Sequence, residues 1–200
     1  MSWTSDQDAI PLSEARHRTA NMFQLLATLC RLRAQRSDNP EARRQVTWVL
    51  DAIGALGILQ NRLLSVGADD FGGFLRDIEP QWRRRAANQS VALSIEAEAV
   101  TVSEQSAAAL AVIAHELVTN ALAHAFPDGR AGAVIVGLRR LDPARAELWV
   151  ADDGVGYDPA TVDPARLGLW LVRGLSDQVK GTLTVRTEGG VEVRLAFPVA

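Results

Sequence analysis

The sequence predicts an α+β chain in two parts, an antiparallel pair of long helices followed by an α/β sandwich with a helix layer on a mixed sheet. Three observations predict it. From about Pro11 to Val66 the chain is nearly free of glycine and proline and rich in Leu, Ala, Arg and Gln, all good helix formers. At Gly67-Ala68-Asp69-Asp70-Phe71-Gly72-Gly73, turn formers and capping carboxylates interrupt that pattern. Beyond it helical and strand patterns alternate and end in two closely spaced strands, as in a hairpin.

The first element runs from about Pro11 to the break at Ser37-Asp38-Asn39-Pro40-Glu41, where Asn39 is placed to cap and Pro40 to take the first position of the second helix. Two long helices joined by so short a turn run antiparallel. After the boundary the patterns predict a helix over 71–86, a strand over 91–95, a helix over 103–125 and strands over 133–139 and 146–151. A loop to Pro164, a helix over 165–179 and strands over 182–187 and 191–197 complete the chain. Leu148-Trp149-Val150-Ala151 reads as a buried strand. The expected domains are 1–66 and 67–200.

Composition narrows the function classes. Two hundred residues, 48% hydrophobic and 22% charged, exclude wholesale disorder. A net charge of -3 gives no electrostatic reason to expect nucleic acid or an anionic membrane as a partner. The single cysteine, Cys30, makes neither an internal disulfide nor a multi-cysteine zinc site. Ser106 to His115, the longest uncharged apolar stretch, is about half a membrane span, and the N-terminus lacks a signal peptide's basic and apolar regions. A cytoplasmic protein, complete from its own Met1, is expected.

Chemistry concentrates in three segments. The helix ending His115-Glu116-Leu117-Val118-Thr119-Asn120-Ala121-Leu122-Ala123-His124 places Glu116 and Asn120 four residues apart, on one face. A buried carboxylate and carboxamide need partners, and a magnesium ion with a polyphosphate would supply them. The next strand runs into Asp152-Asp153-Gly154-Val155-Gly156, where two glycines allow close backbone approach to a ligand and Asp152 can accept from an exocyclic amine. Leu167-Gly168-Leu169 then opens a helix after a loop, where a helix N-terminus can meet phosphate.

In this order and spacing the segments resemble a Bergerat-type ATP-binding domain, the fold shared by gyrase and sensor histidine kinases. The run His-Glu-Leu-Val-Thr-Asn-Ala-Leu-x-His-Ala-Phe-Pro resembles the histidine kinases of the HWE-related subfamily. The resemblance covers residues from about 100 to the C-terminus. It implies ATP and magnesium as cofactors: Asn120 coordinating the metal, Glu116 positioning water or metal, Asp152 reading adenine, and Gly154, Gly156, Gly168 and Leu169 shaping the nucleotide pocket. Tyr157 to Arg166 would be a short lid.

The first helix carries a matching feature. At about 100° per residue, Asn21, Gln24, Thr28, Arg31 and Gln35 fall within roughly 40° of His17, opposite Met22, Phe23, Leu26, Leu29 and Cys30. His17 thus heads a polar stripe. His17-Arg18-x-x-Asn21, with Gln24 further on, resembles the phospho-acceptor box of the same subfamily. A largely neutral imidazole offers a free nitrogen to a phosphoryl group. Arg18 is placed to balance the phosphate charge, and Glu14, one turn earlier, to hold the opposite ring N–H.

The apolar stripe of this helix needs a cover. Leu50, Ile53, Leu56, Ile58, Leu59 and Leu63 give the second helix an apolar face, and two hairpins from two chains make a four-helix bundle, so a homodimer is expected. The alternative is a hairpin that folds back on its own α/β domain.

The chain departs from the family pattern at three places. Ala123 stands where a lysine or arginine usually follows the magnesium asparagine, Asp163-Pro164-Ala165-Arg166-Leu167 replaces a Ser- and Gly-rich loop, and Gly189-Gly190-Val191 replaces Gly-Thr. Arg166 is the candidate to replace the missing cation. About ten residues precede the acceptor helix, too few for an input domain. Two functions follow. One is a kinase that autophosphorylates on His17, driven by a separate sensor, and passes the group to a response-regulator receiver domain. The other is a histidine phosphotransferase relaying phosphate between response regulators. A serine kinase or nonenzymatic adaptor of the same fold would leave the first 66 residues without a use.

Overall fold

A computed structural model describes residues 12–65, 70–157 and 167–199. Helix α1, Leu12–Gln35, and helix α2, Pro40–Ser65, pack against each other across a four-residue link. The link works as its residues dictate. Asn39 Oδ1 accepts from the backbone N–H groups of Glu41 at 2.9 Å and Ala42 at 3.3 Å, with Pro40 at the first helical position.

Helix α3, Phe71–Ala86, is capped by Asp70, whose Oδ1 accepts from Gly73 N–H at 2.9 Å. Arg62 of α2 bonds that cap and Asp77, tying α2 to α3. The central helix α4, Glu104–His124, starts at the N-cap Ser103, and α5 spans Leu167–Gln178. α4 is long and apolar enough to cross a membrane, yet here it lies largely buried among the other helices and the sheet.

Among the described residues five strands, β1 (Val91–Ala97), β2 (Gly132–Asp142), β3 (Arg145–Asp152), β4 (Thr182–Arg186) and β5 (Val191–Pro198), form one sheet in the order β1-β2-β3-β5-β4. β1 runs parallel to β2, and the remaining pairs are antiparallel. The sheet is therefore mixed, and β2 and β3 extend to within two residues of each other, three residues beyond the expected end of β2. Val134, Val136 and Leu138 alternate with Ala146, Leu148 and Val150 and with Val193, Leu195 and Phe197 on one buried face. Leu110, Ile113, Ala114 and Val118 of α4 and Phe74, Ile78 and Trp82 of α3 complete this core.

Two sequence expectations are corrected here. Trp149 is not interior: it lies half-buried on the opposite face of the sheet, with the guanidinium groups of Arg139 and Arg194 over its ring at 5.4 and 5.5 Å. Glu147 accepts from both arginines, at 2.8 Å each. The apolar face of α2 is also not left for a second chain along its whole length. Ala55 and Leu59 are buried in the core with α3 and α4, and Ile58 and Leu63 pack against it. By contrast Met22, Leu25, Leu26, Leu29 and Leu32 of α1 are exposed.

Candidate functional site

A cavity opens where the C-terminal half of α4 passes β3 and β5. Leu117, Ala121 and Ala125 supply an apolar wall, Val150, Val191 and Val193 the sheet floor, and Asn120, His124, Asp152 and Tyr157 the polar points. Asp152 ends β3, and its Oδ1 accepts from Gly154 N–H at 2.9 Å and Val191 N–H at 3.2 Å. Burial raises its pKa, against the pull of those two bonds. The carboxyl is thus fixed through one oxygen at the edge of the cavity.

The glycines after Asp152 are required by space. Gly154 lies against the end of α4, where Val155 N–H donates to Ala125 O at 3.0 Å and a Cβ on Gly154 would overlap Ala125. Gly156 has φ +64, and its Cβ would overlap the Thr187 carbonyl.

Glu116 and Asn120 converge as their spacing predicted. A Cβ placed on Gly168 would lie 3.1 Å from Glu116 Oε2 and 3.2 Å from Asn120 Nδ2, so the first turn of α5 sits directly over both side chains. Glu116 is buried, and its Oε1 has no hydrogen-bond partner among the described residues. Burial pushes its pKa up to about 7, with Trp48 and Arg85 pulling the other way.

His115 points elsewhere. Its Nδ1 accepts from Trp82 Nε1–H at 3.1 Å, so the ring proton belongs on Nε2, which has no hydrogen-bond partner among the described residues. Burial drives its pKa down to about 4, leaving it neutral. It is a buried packing residue between α3 and α4, next to the ion pair of Asp51 on α2 with Arg85 on α3.

The structure brings together Glu116, Asn120, Asp152, Gly154, Gly156 and Gly168. Leu169 lies in the first turn of α5, while Arg166 and most of the expected lid lie outside the described residues. Glu14 and His17 belong to α1, and their side chains likewise lie outside the described part. Arg18 and Asn21 are exposed. Tyr157, the first residue of the expected lid, lines the cavity; sequence reasoning missed His124 as a lining residue and Trp48, Asp51, Trp82 and Arg85 as neighbours of the His115-Glu116 pair. His124 is four residues past Asn120, a spacing that could have found it. The others meet through the packing of α2 and α3 on α4.

The model of the histidine kinase-like ATPase domain matches residues 80–197. The chain belongs to that family. Among curated relatives of this histidine kinase-like ATPase domain, the sensor histidine kinase PdtaS of Mycobacterium tuberculosis H37Rv is 29% identical over 199 residues, covering 94% of this chain and 39% of that protein. Blue-light-activated histidine kinase 2 of Erythrobacter litoralis is 24% identical, with 94% and 57% covered. The chain therefore spans well under two thirds of the length of either. The solved histidine kinase domain of the Erythrobacter litoralis EL346 blue-light activated kinase superposes with a TM-score of 0.71 at 21% identity, covering 90% of this chain and 94% of that one, which is a likeness of fold.

Proposed function

We propose that the chain is the acceptor and ATP-binding core of a cytoplasmic protein-histidine kinase, which transfers the γ-phosphoryl group of Mg-ATP to His17 and then to an aspartate of a response regulator. The observation that carries this reading is the convergence of Glu116 and Asn120 under Gly168 at one side of a cavity that also holds Asp152. Asp152 is arranged to accept from an adenine amine, and the valines and alanines around it to take an aromatic base.

The donor set suits magnesium. Asn120 offers an amide oxygen and Glu116 an unsatisfied buried carboxylate oxygen, hard ligands for an ion that keeps several waters and takes phosphate oxygens from its substrate. Asn120 would hold the ion, with Glu116 nearby, and when bound it would neutralise charge on the polyphosphate. The chain's own residues do the rest. A ring nitrogen of His17 forms a bond to the γ-phosphorus as the bond to the ADP oxygen breaks, and the imidazole must give up a proton. Glu116, the carboxyl group nearest the proposed ion, is the candidate to receive it.

The exposed apolar stripe of α1, with Met22, Leu26 and Leu29, supports pairing with a second copy through a four-helix bundle. A receiver domain is the expected phosphoryl acceptor, and a separate sensor protein the expected source of control.

One observation favours a second reading, a histidine phosphotransferase. Ala123 is exposed in the last turn of α4, where a phosphate-binding cation is expected. The same experiment tests both. Incubation with radiolabelled ATP and magnesium should label wild type and not His17→Ala, with an acid-labile, base-stable phosphate. Labelling that survives His17→Ala refutes the acceptor assignment. Wild type that binds no nucleotide yet takes phosphate from a phosphorylated receiver domain makes the phosphotransferase reading correct.

A further inference from the structure

The helix that follows the acceptor helix reaches the nucleotide site. On α2, Trp48 shares a face with Ala55 and Leu59, seven and eleven residues on, both buried where α2 packs on α3 and α4. Asp51, one turn after Trp48, pairs with Arg85 of α3 and fixes the rotation of α2 about its axis. Trp48 thereby lies on the face of α2 that packs on α3 and α4. Trp48 Nε1 and Glu116 Oε1 are both buried, and neither has a hydrogen-bond partner among the described residues. The two are nevertheless close enough for the indole to favour the ionised carboxylate. The other oxygen of Glu116 lies under Gly168.

The geometry points to Trp48 as a positioning residue for Glu116, its indole N–H holding one carboxylate oxygen so that the other is presented under Gly168. A buried donor and a buried acceptor, each left alone, cost more than a pair drawn together. Pairing the two orients Glu116 from α2. It also makes the carboxylate's aim depend on how α2 is seated, because Trp48 belongs to α2 and Glu116 to α4. This rests on the kinase reading above for its consequence on rate, though not for the contact itself.

Trp48→Phe keeps the ring and removes the N–H. If Trp48 acts through Glu116, autophosphorylation at saturating Mg-ATP falls on the order of tenfold while KM for ATP stays within about twofold. In the double variant with Glu116→Gln, the rate equals that of Glu116→Gln alone. Multiplying losses, or a raised KM with unchanged kcat, overturns the proposal. A spectroscopic arm is independent of activity. The indole N–H resonance that disappears in Trp48→Phe should move upfield in Glu116→Gln, because the acceptor loses its charge, and an unmoved resonance overturns the proposal. Should wild type show no ATP-dependent labelling, the kinase reading fails, and the resonance still decides the contact.

Discussion

Replacing Glu116 by glutamine isolates the cost of keeping a carboxylate in the interface of α2 with α4. Burial raises its pKa from 4.5 to about 7. Between those values the folded chain keeps a proton that the unfolded chain has released. The stability contributed by this group is therefore full below pH 4.5 and is lost as pH rises through 7. At ~1.4 kcal/mol per tenfold change in proton affinity, the loss is at most about 3 kcal/mol, and water entering from the open cavity reduces it. Glutamine has nearly the same shape and stays neutral. His115 titrates with the opposite sign: held neutral down to about 4, it contributes fully above 6.5 and its contribution is lost as pH falls through 4, which is common to both proteins and cancels in their difference. Urea unfolding without nucleotide, at half-unit steps from pH 4.5 to 8, measures that difference. Glu116→Gln should match wild type near pH 4.5 and be more stable by about 2–3 kcal/mol at pH 8. A difference that does not change with pH, or a glutamine variant less stable at pH 8, refutes the argument that burial dominates this carboxyl.

Gly156→Ala should lower apo stability by about 1–3 kcal/mol and weaken ADP binding more than tenfold, because the new Cβ meets the Thr187 carbonyl from a left-handed backbone; calorimetry giving an affinity within twofold of wild type would contradict this. Trp82→Phe removes the donor to His115 Nδ1 and should cost about 1–3 kcal/mol in urea unfolding. A cost under about 0.5 kcal/mol would mean that water replaces the indole. Leu26→Glu, at a position 42% exposed in the single chain, should leave the melting temperature of a monomer unchanged but halve the sedimenting mass of a bundled dimer. A wild-type chain that stays monomeric at high concentration removes the bundle argument.

Much of the site was legible because its geometry is local. Glu116 and Asn120 share a helix face by their four-residue spacing, and Asp152, Gly154 and Gly156 follow one another on a strand end and its loop. Backbone periodicity and the space requirement of a Cβ fix such relations before any tertiary contact forms. Trp149 shows where this stops. Inside a run of apolar residues it reads as interior, yet strand alternation turns it to the other face, and the arginines that cover it come from β2 and β5.

The amino-acid sequence by itself determined the elements, the cap at Asn39, the mixed α+β class and the local spacing of Glu116 with Asn120 and of Asp152 with Gly154 and Gly156. Only the tertiary structure decided that α2 belongs partly to the α/β core, that His115 is a packing group held by Trp82, and that Glu116 lies between Gly168 on one side and α2 on the other. The physical reason is range: propensity, capping and spacing act within a few residues, whereas the burial that moves a carboxyl to about 7 is set by helices distant in the chain and adjacent in space.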